Sequence, residues 1–233
     1  MPAANESRRP GAPAAVSASP GAHDGLIFDL DGTLWDSTET VAGAWTAVLR
    51  RMGQPERTVT PTDIAALMGR THRDICHALL PGLPEPRQES LMLACYAAEE
   101  SALHARGGRL YPGVREGLTA LAARVPLFIV SNCQRGYIET FLAWSGLAAL
   151  FRDHECHGNT GADKAENLRR VVGRNGLRAP LYVGDTEGDR QAAEAAALSF
   201  VHAAWGFGDA PQAAVRMADF TALTCWLEAD ERV

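Results

Sequence analysis

Lysine is almost absent from this chain. Lys164 is the only lysine among the 22 basic residues, and all the others are arginines. A compact ammonium and a planar guanidinium are not interchangeable at a tight site. Lys164 is therefore either a chance survivor on a helix surface or a group that a site needs, and its position alone leaves both interpretations open.

Paired cysteines and long apolar runs are also missing. The five cysteines are scattered without a CxxC pair, which fits reduced thiols better than a disulfide framework. No stretch approaches the roughly 20 apolar residues that span a bilayer. Arg8 and Arg9 are not followed by an apolar signal core. We therefore expect a cytoplasmic protein without a membrane partner.

An excess of basic charge is missing as well. The formal net charge is −6, which gives no electrostatic footprint for nucleic acid and favours a small-molecule partner. With 233 residues, 46% of them hydrophobic, the chain can form one large domain or one domain with an insert. We expect a monomer or a weak dimer.

Three apolar runs indicate the fold class. They are Leu26–Phe28, Leu127–Val130 and Leu181–Val183. Their residues do not alternate in polarity, and helical patterns separate them, as is typical of parallel strands covered on both faces. The sequence therefore predicts an α/β fold with a doubly wound, Rossmann-like parallel sheet. Residues 1–23 before the first run are rich in Ala, Pro, Ser and Gly and predict a disordered tail.

The interval between the first two runs is too long for an ordinary crossover. Its apolar positions follow a helical period, so we interpret residues 38–109 as an inserted helical cap and residues 24–37 and 110–233 as the core. The predicted cap helices are Thr40–Arg51, Asp63–Met68, Arg73–Leu80 and Pro86–Ala105. The predicted core helices are Val114–Ala123, Gly136–Trp144, Ala165–Val172 and Gly188–Ala197.

Each apolar run stops at a polar residue. Asp29 follows the first run, Ser131 and Asn132 the second, and Asp185 the third. The carboxyl ends of parallel strands meet at one edge of a sheet, so these groups should line one crevice. Asp31 lies two residues after Asp29, a spacing that points both side chains to the same side of an extended chain.

The third segment, Gly184–Asp189, adds further acid. Asp185 and Asp189 are four residues apart, although acids at a helix start also act as simple caps. Several carboxylates in one crevice are hard to keep ionised without a cation. Oxygen ligands suit Mg²⁺, which shares its coordination shell with phosphate. Lys164 would supply the remaining positive charge.

Four segments in this order resemble the motifs of the haloacid dehalogenase-like superfamily of hydrolases. They are DLDGT at residues 29–33, Ser131–Asn132, Lys164 and GDTEGD at residues 184–189. The resemblance extends from about residue 25 to the end of the chain. The helical insert is similar to the cap of the phosphoglycolate phosphatase-like members, and Trp205–Gly208 also resembles that group.

The resemblance implies an enzyme that hydrolyses a small phosphorylated metabolite through an aspartyl-phosphate. Asp29 would be the nucleophile and Asp31 the general acid and base. Mg²⁺ would be held by Asp29, the carbonyl oxygen of Asp31 and Asp185, with Asp189 supporting them. The phosphate oxygens would be held by Thr33, Ser131, Asn132 and Lys164.

Other activities of the superfamily fit less well. Dehalogenation does not need Asp31, and phosphonate cleavage uses a lysine of the cap, where this chain has none. A phosphosugar mutase remains open, because the same two acids could return the phosphoryl group to substrate. A non-catalytic binding or regulatory module would be expected to have lost a motif residue, and none is lost.

The remaining candidates concern specificity. Asp36, where the chain leaves the core for the cap, could contact substrate, or it could simply pack and cap the hinge. In the cap, Arg70, His72 and Arg73 could pair with a second anionic group, or the arginines could be ordinary surface residues. The stretch His154–His157 lacks the spacing of a structural zinc site, which favours a strand or loop.

Overall fold

A parallel six-stranded sheet forms the centre of the fold. A computed structural model describes residues 23–229, apart from the side chains of His72 and Cys76. The strands are β1 (Leu26–Phe28), β2 (Trp35–Asp36), β3 (Arg109–Leu110), β4 (Leu127–Ser131), β5 (Phe151–Cys156), β6 (Leu181–Gly184), β7 (Ser199–Ala203) and β8 (Arg216–Met217). The main sheet has the order β5-β4-β1-β6-β7-β8, and β2 and β3 form a separate antiparallel ribbon. The predicted doubly wound α/β fold is confirmed.

Ten α-helices accompany these strands in the described part of the chain. Those between β2 and β3 are α1 (Thr38–Arg51), α2 (Pro61–Ala65), α3 (His72–Leu79) and α4 (Glu85–Arg106). The others are α5 (Val114–Ala122), α6 (Tyr137–Ser145), α7 (His157–Thr160), α8 (Lys164–Asn175), α9 (Glu187–Ala195) and α10 (Phe220–Glu228). The first four lie within the interval that we assigned to the cap.

The two faces of the sheet belong to different apolar cores. In β1, Leu26 and Phe28 pack into one cluster with Ile129 and Val183, whereas Ile27 packs into the other with Tyr182. This division follows from the alternation of side chains along a strand. Because both faces are covered, the carboxyl-end edge of the sheet is where polar side chains can meet.

The β2–β3 ribbon joins the sheet to the four helices between its strands. It pairs Trp35 with Leu110 and Asp36 with Arg109. Trp45 of α1 and Leu103 of α4 belong to the same apolar cluster as Phe28 of the sheet, so these helices share a core with it.

The predicted tail, residues 1–23, lies outside the described residues except for His23. That residue is buried, and its Nδ1 lies 3.0 Å from the carbonyl oxygen of Ala179. The HECH stretch divides between two elements, since Cys156 ends β5 and His157 begins α7.

Candidate active site

The ends of three adjacent strands bring the predicted site residues together. Asp29 follows β1, Ser131 ends β4 and Asp185 follows β6. All three are buried. The backbone N–H of Asp29 donates to the carbonyl oxygen of Val183 at 2.8 Å, which ties the end of β1 to β6. The predicted convergence of these strand ends is thus observed.

Lys164 lies within this cluster. It is the first residue of α8, and its side chain is only 5% exposed. Its Nζ donates to Asp29 Oδ1 at 2.9 Å and to Asp189 Oδ1 at 2.6 Å. The single lysine is therefore not a surface residue but the cation of a buried carboxylate group.

Asp189 serves both a helix and the site. Its Oδ2 accepts from the Thr186 backbone N–H at 3.0 Å and from the Thr186 hydroxyl at 2.6 Å, which caps α9. Its Oδ1 also accepts from the Tyr182 hydroxyl at 2.9 Å. Burial opposes ionisation, but the Lys164 ammonium and the hydrogen bonds from Thr186 and Tyr182 together lower the pKa of Asp189. Both oxygens of Asp189 are already engaged, which suits a supporting role.

Asp185 presents one carboxylate oxygen without a partner. Its Oδ2 accepts from the backbone N–H of Phe207 at 2.8 Å and of Gly208 at 3.3 Å. Its Oδ1 is buried and has no hydrogen-bond partner among residues 23–229. Gly32, at φ +84°, allows this packing, because a Cβ there would lie 2.2 Å from Asp185 Oδ2.

These acids fit a divalent metal ion. One oxygen each from Asp29, Asp185 and Asp189 lie within 4.8 Å of one another. Burial raises the pKa of Asp29 to about 7, against the opposing effect of Lys164, and raises the pKa of Asp185 to about 8. A neighbouring cation stabilises the ionised form of such carboxylates. A donor set that contains only oxygen atoms suits a hard cation.

Asp31 has different surroundings. Its Oδ1 accepts from the Ser37 hydroxyl at 2.6 Å and the Tyr137 hydroxyl at 2.9 Å. Burial raises the pKa of Asp31 to about 7, despite these hydrogen bonds. A carboxyl group with that pKa can both give and take a proton near neutral pH. Sequence reasoning did not identify Ser37 or Tyr137.

The predicted phosphate ligands divide into two groups. Thr33 is buried, and its Oγ1 has no hydrogen-bond partner in the described part of the chain, so it is available to a ligand. Ser131 lines a cavity next to Asp29. The Asn132 amide instead donates to the carbonyl oxygen of Gly69 at 2.7 Å, so its side chain connects the sheet to the loop between α2 and α3.

The cavity over Asp29 and Asp31 has a volume of about 50 Å³. Arg70 and Glu99 contribute to its wall. Glu99 is buried in α4, where its carboxylate accepts from Trp45 Nε1 at 2.7 Å and Gln134 Nε2 at 2.8 Å. Sequence analysis missed Glu99, since one more acid on a helix carries no distinguishing signal.

Two predicted specificity residues lie elsewhere. Asp36 does not line the cavity; its Oδ1 accepts from the backbone N–H of Thr38 at 3.0 Å at the start of α1, and its Oδ2 pairs with Arg109 at 3.1 Å. Arg73 lines a different surface pocket with His77 and Glu85. Asp36 thus contacts the start of α1 and Arg109 of β3, and Arg73 lies in a pocket separate from the cavity. The side chain of His72 lies outside the described part of the structure.

Comparison with known proteins identifies the family. The family model described as haloacid dehalogenase-like hydrolase matches residues 26–203. The chain belongs to this family. As a haloacid dehalogenase-like hydrolase, it is 34% identical over 187 residues to a phosphoglycolate phosphatase of Synechococcus elongatus, covering 79% of this chain and 85% of the relative.

Further relatives agree with this assignment. A phosphoglycolate phosphatase of Rhodobacter capsulatus is 32% identical over 212 residues, covering 85% of this hydrolase and 94% of the relative. A crystal structure of a HAD-superfamily hydrolase, subfamily IA, variant 1, from Geobacter sulfurreducens matches with a TM-score of 0.70 at 25% identity, covering 91% and 100% of the two chains. This hydrolase is a phosphatase. In residues 23–229, none of the helices is both long and apolar enough to cross a bilayer.

Proposed function

We propose that this phosphatase hydrolyses a short phosphate monoester that carries a carboxylate, with phosphoglycolate as the leading candidate, and that it uses Mg²⁺. The observation that carries the proposal is the buried contact of Lys164 with Asp29 beside Asp31 and Asp185. This arrangement supplies a nucleophile, an acid and a cation site within one crevice. The names of the two curated relatives support the substrate.

Asp29 performs the first step. Its carboxylate oxygen attacks phosphorus, and the bond from phosphorus to the alcohol oxygen breaks. The protonated Asp31 carboxyl donates its proton to the departing alcohol oxygen. Lys164 favours the ionised form of the Asp29 carboxylate, and the hydroxyl of Thr33, which has no partner among residues 23–229, donates to a phosphate oxygen. The product is an aspartyl-phosphate on Asp29.

Asp31 reverses its role in the second step. Now ionised, its carboxylate takes a proton from a water molecule, whose oxygen attacks phosphorus and releases phosphate from Asp29. Ser37 and Tyr137 hold Asp31 in place through both steps. A pKa of about 7 for Asp31 suits a group that must donate and then accept within one turnover.

Asp29 and Asp185 would hold the Mg²⁺, with the carbonyl oxygen of Asp31, while Asp189 positions Lys164. When bound, Mg²⁺ supplies positive charge that offsets the charge of the phosphate and of Asp29.

Residues 38–109 act as a mobile cap in this proposal. A buried water molecule needs roughly 10–15 Å³ of cavity volume. A cavity of about 50 Å³ therefore holds only a few waters or a small molecule. A substrate must therefore enter before the cap closes. Closure places Arg70 at the cavity wall, where its guanidinium can pair with the carboxylate of the substrate.

The central experiment measures phosphate release from a panel of phosphorylated metabolites, first with Mg²⁺ and then with a chelator. We expect release from phosphoglycolate and loss of activity on chelation. Isomerised sugar phosphate without release would favour a mutase. Binding without turnover of any substrate would favour a non-catalytic module.

A pair of arginine variants tests the substrate class. Arg70→Met should raise the KM for phosphoglycolate about tenfold or more while changing that for p-nitrophenyl phosphate, which has no carboxylate, much less. Arg73→Met is the matched control, because Arg73 lies outside the cavity. Equal effects of Arg70→Met on both substrates would contradict carboxylate recognition by Arg70.

A further inference from the structure

The loop after β7 fixes the orientation of one proposed metal ligand. This loop is the stretch Trp205–Gly208. The backbone N–H groups of Phe207 and Gly208 donate to Asp185 Oδ2 at 2.8 and 3.3 Å. In β7 itself, His202 Nε2 donates to the carbonyl oxygen of Asp185 at 3.0 Å. Because Oδ2 and the backbone are both held, Oδ1, which has no partner among residues 23–229, is the oxygen left for a ligand.

Gly206 of this loop lies between that acid and the turn after the nucleophile. A Cβ at Gly206 would lie 2.3 Å from the Cβ of Asp185 and 2.4 Å from the carbonyl oxygen of Gly32. Both distances are far shorter than a van der Waals contact, so a side chain here would displace one of the two segments. Gly32 directly follows Asp31, whose carbonyl oxygen is another proposed ligand. The loop, the acid and the turn therefore meet at a point that only glycine fits.

Trp205 connects the loop to the same turn. Its Nε1 donates to the carbonyl oxygen of Thr33 at 3.0 Å. Its ring packs edge-to-face on Phe220 of α10, with ring centroids 5.8 Å apart. Phe220 in turn stacks on Phe28 of β1, with centroids 5.9 Å apart. Trp205 is thus joined to the strand before Asp29 through apolar contacts and to the turn after it through a hydrogen bond.

We propose that the loop Trp205–Gly208 is a positioning element that keeps Asp185 Oδ1 available to the metal ion and fixes this acid relative to the turn that contains Thr33. The inference rests on the proposed function, because it takes Mg²⁺ as the ion. The loop acts on the reacting groups through Asp185 and through the turn. Altering groups that orient a metal ligand typically changes metal affinity about 10–100-fold. We therefore expect changes in the loop to alter the affinity for Mg²⁺ and not only the stability of the fold.

Gly206→Ala tests the packing of the loop. The added methyl group must displace Asp185 or the turn at Gly32, so we expect the dissociation constant for Mg²⁺ to rise about tenfold or more. Isothermal titration calorimetry of the metal-free full chain with magnesium chloride measures this constant without a substrate. Gly117→Ala is the matched control, because a Cβ at Gly117 would lie 2.4 Å from Thr224 Oγ1, where α5 packs on α10. It should lower the melting temperature without changing the affinity for Mg²⁺.

Trp205→Phe tests the connection between the loop and the turn. Phenylalanine keeps an aromatic ring beside Phe220 but lacks the Nε1–H group, so the carbonyl oxygen of Thr33 loses this donor. We expect the dissociation constant for Mg²⁺ to rise about threefold or more, and kcat/KM to recover in part at high Mg²⁺ concentration. Trp226→Phe is the matched control, because Trp226 is a half-buried tryptophan of α10, and it should bind Mg²⁺ like the unaltered chain.

The outcomes separate this inference from the proposed function. An unchanged dissociation constant for Mg²⁺ in Trp205→Phe and in a cooperatively folded Gly206→Ala would overturn the positioning role and leave the proposed function intact. Equal weakening in Gly206→Ala and Gly117→Ala would overturn it too, since it would show a general effect of packing. Failure of the unaltered chain to bind Mg²⁺ would overturn both proposals. If Gly206→Ala does not fold, Trp205→Phe and its control decide alone.

Discussion

Asp29 and Asp31 are two residues apart, yet their surroundings suit them to different roles. Asp29 contacts the Lys164 ammonium, which favours a negative charge on the attacking oxygen. Asp31 accepts hydrogen bonds from the hydroxyls of Ser37 and Tyr137, and burial raises its pKa to about 7, so it can hold a proton near neutral pH. The environment of each carboxyl group, and not its type, separates the nucleophile from the acid.

Asp29→Asn should abolish turnover while the fold is retained. An amide of nearly the same shape keeps the packing but is a poor nucleophile towards phosphorus, so we expect kcat to fall by about 10³-fold or more. Steady-state kinetics with phosphoglycolate and a thermal unfolding curve measure the two effects. Asp153→Asn, at a partly exposed ion pair with Arg174, serves as the control. Turnover of Asp29→Asn near that of the unaltered enzyme would refute the mechanism.

Lys164→Arg should impair catalysis although the charge is retained. The Nζ of Lys164 lies between Asp29 and Asp189 in a fully buried space, where a larger planar group cannot keep both contacts. We expect kcat/KM to fall about 100-fold or more. Arg170→Lys is the control, because it exchanges the same two residue types at an exposed ion pair with Glu166 on α8. Unchanged kinetics in Lys164→Arg would mean that the lone lysine is an accident of composition.

The sequence predicts those site residues that belong to a pattern of neighbouring positions. Asp29 and Asp31 follow an apolar strand within a few positions, so the pattern itself indicates a site. Tyr137 reaches Asp31 across 106 positions, and Glu99 reaches Gln134 across 35. Such contacts cannot be recognised from a local sequence pattern, because they depend on how the helices pack. For the same reason the sequence could not show that Asn132 contacts Gly69.

At the scale of secondary structure, the interior of the sheet is easier to predict than its edges. β1, β4 and β6 are buried throughout, so apart from Ser131 at the end of β4 their sequences contain no strongly polar residue. β5 forms an edge of the sheet and contains Arg152 and Asp153, which mask its strand character. The sequence pattern does not predict β7, β8 or α10, since His202 interrupts β7 and β8 has only two residues.

The turn at the end of α4 should require glycine at position 107. This residue has φ +66°, and a Cβ there would lie 1.9 Å from the ring of Trp144. Gly107→Ala should lower the free energy of unfolding by about 3 kcal/mol, from backbone strain and overpacking together. Gly82→Ala is the matched control, because it has φ +80° but no atom within 4 Å of an added Cβ, and should cost about 1 kcal/mol. Equal losses in chemical denaturation would contradict the role of the Trp144 contact.

At the scale of the whole molecule, two hydrogen bonds connect the loop after β4 to residues 38–109. Asn132 donates to Gly69 at 2.7 Å and Gln134 donates to Glu99 at 2.8 Å. Both donors belong to the loop after β4, and both acceptors belong to the helical insert. If residues 38–109 act as the proposed cap, its closure and phosphate binding at Ser131 should therefore be coupled through this loop.

The buried acids should make the stability of the metal-free protein fall with rising pH. Burial raises the pKa of Asp29 to about 7 and of Asp185 to about 8, from a usual value of 3.8. The folded state thus binds these protons more tightly than the unfolded chain does, so the free energy of unfolding decreases as pH rises from about 4 to about 8. Mg²⁺ favours the ionised acids and should offset this loss. The melting temperature in chelator should therefore be lower at about pH 8.5 than at about pH 7, and Mg²⁺ should raise it more at the higher pH.

Asp185→Asn provides the control for this prediction, because it removes the group with the highest of these pKa values and one proposed metal ligand. The variant should show a weaker pH dependence in chelator and a smaller shift with Mg²⁺. The interval above pH 7 is chosen because burial lowers the pKa of His202, which then stays neutral throughout it. A metal-free melting temperature that rises over this interval, or an equal Mg²⁺ shift in Asp185→Asn and the unaltered chain, would show that the buried acids do not hold the ion.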